Sequence, residues 1–437
     1  MKYLESFKTS QEDPARLEAI FQDAVSQNDT AAFKADLLTC YEEYPSNLLF
    51  AAWYYRLESS QTADTSTRRS INWKLAIPLA FINALIFCLL VSDLLSFEMS
   101  NQLFPYQVLW WAPVISLVVI AFLSFTSKKG YRLAGIVSVA LVLAVVFATL
   151  LSLHNEQYLI LMALHIPLLS WAAVAITLMG VRTASHQRFS FLIKSIEVFV
   201  TAGLFLIAGM IFGGITLGLF AALSITPPDM IIKYLAAGGV GLIPVLAVAV
   251  SYDPMSSPAD QDFSQGLGKL ISTLPRLLIP LTLAVLVVYL FVIPFFFVKP
   301  FTDRDVLIVY NLMLFAIMGL LVGATPLKEE ELAPKMKSFL RIGILALVIL
   351  VVIVSLYALS ATVYRTLTMG GLTINRMTIL GWNVLNISLL VMMVVKILKA
   401  GKDCWVNAVQ SVFSLGCVLY VLWSLLLLVT MGWLFPA

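Results

Sequence analysis

The sequence predicts an all-α fold: a polytopic transmembrane helix bundle of about 11 spans with a small N-terminal cytoplasmic helical domain. Three observations predict it. Of the 437 residues, 60% are apolar and only 12% charged, with a mean hydropathy of +0.93, whereas soluble domains carry roughly a quarter charged residues. The apolar residues fall into runs of roughly 20, the length of helix that crosses a hydrocarbon core about 30 Å thick. Lys and Arg gather in alternate gaps between those runs.

Residues 1–60 carry ten acids against five bases, net −5, while the remainder is net +8. Residues 1–47 are polar and lack the basic flank and apolar core of a secretory signal, so the first apolar run is expected to insert as a genuine span. Asp13 is placed to cap a helix whose first position is Pro14. Leu17, Ile20, Phe21, Ala24 and Val25 then share one helical face. A second helix from Asp29 sets Phe33, Leu37, Cys40, Tyr41 and Tyr44 on one side. Pro45 stops it, and Ser46 is placed to cap a third helix carrying Leu49, Ala52, Trp53 and Leu57. This spacing resembles one and a half units of a tetratricopeptide-type hairpin, although a solenoid needs about three repeats. Residues 1–60 read either as a docking platform for a cytosolic protein partner or as a small bundle that packs on the membrane body. Ser59 to Arg69 read as a polar tether, 61–73 as the linker between domains, and 74–437 as the membrane domain.

The predicted spans are 74–95, 107–126, 131–152, 157–181, 196–222, 231–251, 277–298, 306–326, 339–363, 377–398 and 404–432. Helix is the structure such runs adopt in lipid, because backbone polar groups find no water there. One set of gaps holds 18 bases and the other only five, Lys233, Lys299, Arg304, Arg365 and Arg376. Basic loops stay cytoplasmic, so the amino terminus is expected in the cytoplasm and Ala437 outside. Trp73, Trp110, Trp111, Trp405 and Trp433 fall near span ends and read as interfacial anchors. Within 252–276, Phe263, Leu267, Leu270, Ile271 and Leu274 share a face, which predicts an amphipathic helix lying in the interface.

Chemistry-bearing residues are sparse. Gly209, Gly213, Gly214 and Gly218 form two small-xxx-small pairs along one span, a pattern for close helix packing or for a gate; Gly238, Gly239, Gly241 and Pro244 continue it. Glu197 lies one turn from Lys194, and structural pairing is the reading adopted. Asn83, Asn311, Asn383 and Asn386 are placed to bond between helices. His154, His165 and His186 have no partner at metal spacing, and Cys40, Cys88, Cys404 and Cys417 show no paired spacing, so neither zinc nor a disulfide is expected. Asp303 and Asp305 form a D-x-D in a short loop, and Asp93 and Glu98 lie in the first outer loop, where multi-span glycosyltransferases keep a catalytic acid. No cofactor and no nucleic-acid partner is expected.

The most specific stretch runs from Tyr364-Arg365 through Gly370-Gly371 to Thr373, Asn375 and Arg376. Two glycines make a tight turn, Thr373 is placed to cap the next helix, and the two arginines flank the turn. This arrangement resembles the signature of a family of multi-pass bacterial membrane proteins catalogued as domain of unknown function 4153: an Arg, a spacer, an aromatic-Gly-x-Thr turn and a second Arg. The resemblance extends back through 267–281 around Pro280, with Met369-Gly370 standing where the family has an acidic-aromatic pair. It implies a bacterial inner-membrane location and no established activity.

Arg365, Arg376, Thr373 and Asn375 thus form a candidate outer-face anion or headgroup site, or the arginines pair with Asp303 or Asp305 and staple the outer loops. The chain reads as a non-enzymatic scaffold or sensor whose partners are the bilayer and a cytosolic protein docked on 1–60. The alternatives are a transporter or flippase, and a membrane-embedded transferase acting on a lipid-linked substrate. Oligomeric state is left open.

Overall fold

A computed structural model describes residues 3–11, 13–26, 29–64, 71–92, 94–99, 102–153, 155–263, 266–328 and 332–435. The chain forms two compact units, Met1–Ile71 and Asn72–Ala437.

The first unit holds α1 (Leu4–Lys8), α2 (Pro14–Ser26), α3 (Thr30–Glu43) and α4 (Leu48–Asp64). Its core is Phe7, Leu17, Ala24, Phe33, Leu37, Cys40, Phe50 and Trp53. The expected stripes on α2 and α3 supply most of it; α1 and its fully buried Phe7 add a piece that the sequence pattern did not mark. The Asp13 carboxylate accepts from the N–H groups of Ala15 and Arg16, as expected of a cap. At α4, however, the cap is Asn47 and not Ser46, since the Asn47 side chain accepts from Leu49 and Phe50. The helix runs on to Asp64, and the rest of the tether, 65–70, lies outside the described residues.

Ion pairs join helices distant in sequence: Lys8 to Glu43 at 2.7 Å and Arg56 to Glu18 at 3.1 Å. Bonds from Gln22 and then Arg56 hold the Glu18 carboxyl below its ordinary value. That contribution to stability is therefore present above the carboxylate range and lost as pH falls through it.

Burial pushes the Cys40 thiol up, because a thiolate would have no water. Cys404, by contrast, is exposed just before the last helix. An aqueous maleimide is expected to label Cys404 in the native protein and Cys40 only after denaturation. Equal labelling of both in native protein would show that the first unit is open.

Among the described residues, the second unit carries 11 helices long and apolar enough to cross a membrane. They are α5 (Trp73–Val91), α6 (Gln107–Ser127), α7 (Tyr131–Ser152), α8 (Glu156–Met179), α9 (Ser185–Ala222), α10 (Asp229–Ser251), α11 (Gly266–Val292), α13 (Arg304–Ala324), α14 (Pro334–Thr368), α15 (Ile374–Ala400) and α16 (Trp405–Leu434). Before α13 comes the single-turn α12 (Lys299–Thr302). The chain is an integral, multi-pass membrane protein. A short antiparallel hairpin, β1 (Ser96–Met99) against β2 (Gln102–Pro105), joins α5 to α6, with Ser96 opposite Pro105. Asp93 lies outside the described residues, so its place in that loop is not described.

Two large cores, with smaller clusters around Tyr310 and Val354 and around Ala80 and Val245, hold the bundle among the described residues. One gathers Ile279, Leu314, Leu321, Ile344, Leu347 and Leu390 of α11 and α13–α15; the other gathers Leu141, Tyr158, Met162 and Ile166 of α7 and α8. Helix α16 serves both, giving Val406, Val409 and Val412 to the first and Leu427, Leu428 and Met431 to the second.

Three expectations are corrected. Trp405 is fully buried in the first core and is no interfacial anchor, whereas Trp73, Trp111 and Trp433 are exposed. The stretch 252–276 is not a separate interfacial helix: Gln261 ties down a loop by bonding Asp253 and Ser256, and from Gly266 the chain is already α11, passing through Pro275 and Pro280 without a break. Of the asparagines, Asn83 bonds the Gly241 carbonyl and Asn386 the Tyr420 hydroxyl, both between helices, but Asn311 bonds Leu307 of its own helix.

Candidate functional site

Between α14 and α15 the chain reverses through Gly370 and Gly371, at φ +88° and +77°. L side chains rarely adopt that conformation, so glycine is required at both places. Thr373 accepts from the Arg376 N–H at 3.3 Å and caps α15, and the Arg376 guanidinium donates to the Gly371 carbonyl at 2.6 Å. The turn is thus bonded to itself, with Asn375 exposed beside it. Arg365 stands in the last turn of α14, and its Nη1 is buried with no hydrogen-bond partner.

The expected staple is not formed: among the described residues no ion pair joins Arg365 or Arg376 to Asp303 or Asp305. Asp303 has another use. Its carboxylate accepts from the Asp305 N–H at 2.9 Å and caps α13, which is what that D-x-D does.

Lys299 opens α12, Arg304 opens α13, Arg365 closes α14 and Arg376 lies in the first turn of α15. Since α12 packs on α13 and α14, and α14 on α15, these four cations collect at one end of the bundle. An aromatic cluster lies among them that the sequence reading did not mark. Phe301 meets Tyr364 at 5.5 Å and Tyr357 at 6.0 Å, and Tyr310 stands edge-on to Tyr357 at 5.9 Å. The signal was present in the spacing, because Tyr357 and Tyr364 are seven residues apart on one helix face. Beside them a cavity of about 180 Å³ opens between Tyr289, Ile293, Lys299, Val306, Tyr310 and Tyr357.

The glycine pairs of α9 behave otherwise than expected of a packing seam. A Cβ at Gly209, Gly213, Gly214 or Gly218 would meet nothing within 4 Å. Within this chain they bring no helix close. Close approach occurs instead at Gly241, where a Cβ would lie 2.7 Å from Ala84 Cα of α5.

Lys194 and Glu197 do pair, at 2.9 Å, with Lys194 buried and Glu197 partly so; the ammonium also donates to the Asp262 carbonyl and lies over the Phe263 ring. His165 forms part of a polar chain deep in the bundle. Its Nδ1 meets the Leu161 carbonyl at 2.7 Å, and its Nε2 accepts from the Trp382 indole at 3.0 Å. That arrangement selects the neutral ring with its proton on Nδ1. Trp382 packs in turn on Tyr420, the partner of Asn386.

Against known proteins, neither a family profile, a curated protein nor a solved structure matches this chain. Its chemistry is therefore read from its own surfaces, and a second surface lies on the first unit. Tyr41 of α3 stacks on Tyr54 of α4 at 4.9 Å, and Tyr55 stands edge-on to both. Tyr55 is 60% and Leu48 86% exposed.

Proposed function

We propose that this protein is a non-enzymatic scaffold or sensor that holds a docking head on the cytosolic side of a bacterial cytoplasmic membrane. The observation that carries the reading is the tyrosine cluster on a unit with a core of its own. Phe7, Phe33, Phe50 and Trp53 fill that core and Tyr41 packs at its edge, while Tyr55, edge-on to Tyr41 and Tyr54, turns outward at 60% exposure. An exposed aromatic group held rigid by its neighbours, as Tyr55 is, anchors protein interfaces. With residues 1–60 at net −5, the partner is a protein with a basic surface, drawn in by charge complementarity. The bias of bases between alternate gaps supports a cytosolic head, with Ala437 on the opposite side. The likeness of the 364–376 turn to the domain of unknown function 4153 family supports the bacterial membrane.

A photo-crosslinking residue placed at Tyr55 of the full chain in cells tests the reading. A discrete protein adduct is expected from Tyr55, lost on Tyr41→Ala and absent when the probe stands at Gln22. Adducts identical from both positions, or none from Tyr55, would remove the docking surface.

A further inference from the structure

After α11 the chain does not enter α13 directly. It passes through the 3-10 turn Ile293–Phe296 and then α12, and this detour encloses the cavity of about 180 Å³. An apolar cavity of roughly 150 Å³ already takes up a benzene-sized molecule, so this one admits a short length of hydrocarbon. Its lining divides into floor and rim. Tyr310, only 5% exposed, belongs to the floor, while Phe296 and Lys299 are exposed and form the rim.

Two polar groups face an occupant. Tyr289 donates its hydroxyl to that of Tyr310 at 2.6 Å, which leaves the Tyr310 proton to be given elsewhere. The Lys299 ammonium lies over the Phe296 ring at 5.4 Å, and no acid among the described residues pairs with it. Around the rim Phe295, Phe297 and Val298 are exposed. Tyr289 lies near the end of α11 and Tyr310 near the start of α13, and tyrosines at the ends of spans settle at headgroup depth, so the cavity opens where lipid glycerol and phosphate lie. Arg304 and Arg365, on the helices against which α12 packs, keep that end positive.

We propose that this cavity seats an anionic phospholipid. Hydrocarbon next to the glycerol enters between Ile293 and Val306, an ester oxygen accepts from the Tyr310 hydroxyl, and the phosphate rests on the Lys299 ammonium.

The test is native mass spectrometry of the full chain released from detergent, titrated separately with phosphatidylglycerol, phosphatidylcholine of the same chains, and inorganic phosphate. Phosphatidylglycerol is expected to bind about tenfold tighter than phosphatidylcholine, the contribution of one charge-assisted contact. Lys299→Gln is expected to erase that preference, Lys299→Arg to keep it, and Lys233→Gln to leave it unchanged. Ile293→Trp, which fills the cavity, is expected to weaken both lipids. An unchanged preference in Lys299→Gln would overturn the proposal. So would inorganic phosphate that binds as tightly as the lipid and abolishes its binding, since the site would then hold the free anion.

Discussion

Lys194→Ala is expected to destabilise the membrane domain by about 3–5 kcal/mol, the usual cost of leaving one partner of a buried ion pair alone. Glu197 would keep its charge in a site where its side chain is 12% exposed. The Asp262 carbonyl would lose its donor, and Phe263 the cation over its ring. The loop before α11 would therefore loosen together with α9. Pairing Lys194→Met with Glu197→Gln removes both charges at nearly constant volume and is expected to recover most of the loss. Unfolding of the purified protein in a denaturing detergent, run as a double-mutant cycle, measures this. A single variant as stable as the wild type would mean that the pair is solvated.

Gly241→Val is expected to separate α5 from α10. The added Cβ would sit 2.7 Å from Ala84 Cα and 3.1 Å from Phe87 Cβ, and the first of these is backbone, which has no rotamer to escape into. Overpacking of this kind costs about 1–3 kcal/mol or more. It also pulls the Gly241 carbonyl away from Asn83, whose amide donates to it at 2.6 Å. Thermal melts in detergent are expected to show a large loss for Gly241→Val and none for Gly213→Val, beside which lies open space. Equal melts would show that α5 and α10 do not touch there.

These two glycines show how far the sequence reaches. Both stand in apolar runs with small neighbours, and nothing local separates them. What differs is the helix opposite, a tertiary fact. The spans themselves were legible because the bilayer imposes both length and hydropathy: all 11 were expected within a few residues of where their apolar parts lie. Where helix and apolar run diverge, the reading fell short. Helix α9 begins at Ser185 and not near 196 because its first turns carry His186, Arg188 and Lys194, whose polarity hides a helix that hydropathy does not mark. The α14–α15 turn was legible down to its cap, since Gly-Gly followed by Thr is a local signal. The cavity was not, because Tyr289, Val306 and Tyr357 come from three helices separated by long stretches of chain.

The shared position of α16 bears on how this protein is made. Trp405 and Phe413 near its beginning close one core, and Leu427 and Met431 near its end close the other. Helices α7 and α8, like α14 and α15, pack on each other directly and can pair first, yet neither core is complete without the side chains that α16 supplies. A nascent chain halted before Trp405 would leave one side of each core uncovered, and the Tyr158 hydroxyl without the Leu428 carbonyl to which it donates at 2.7 Å.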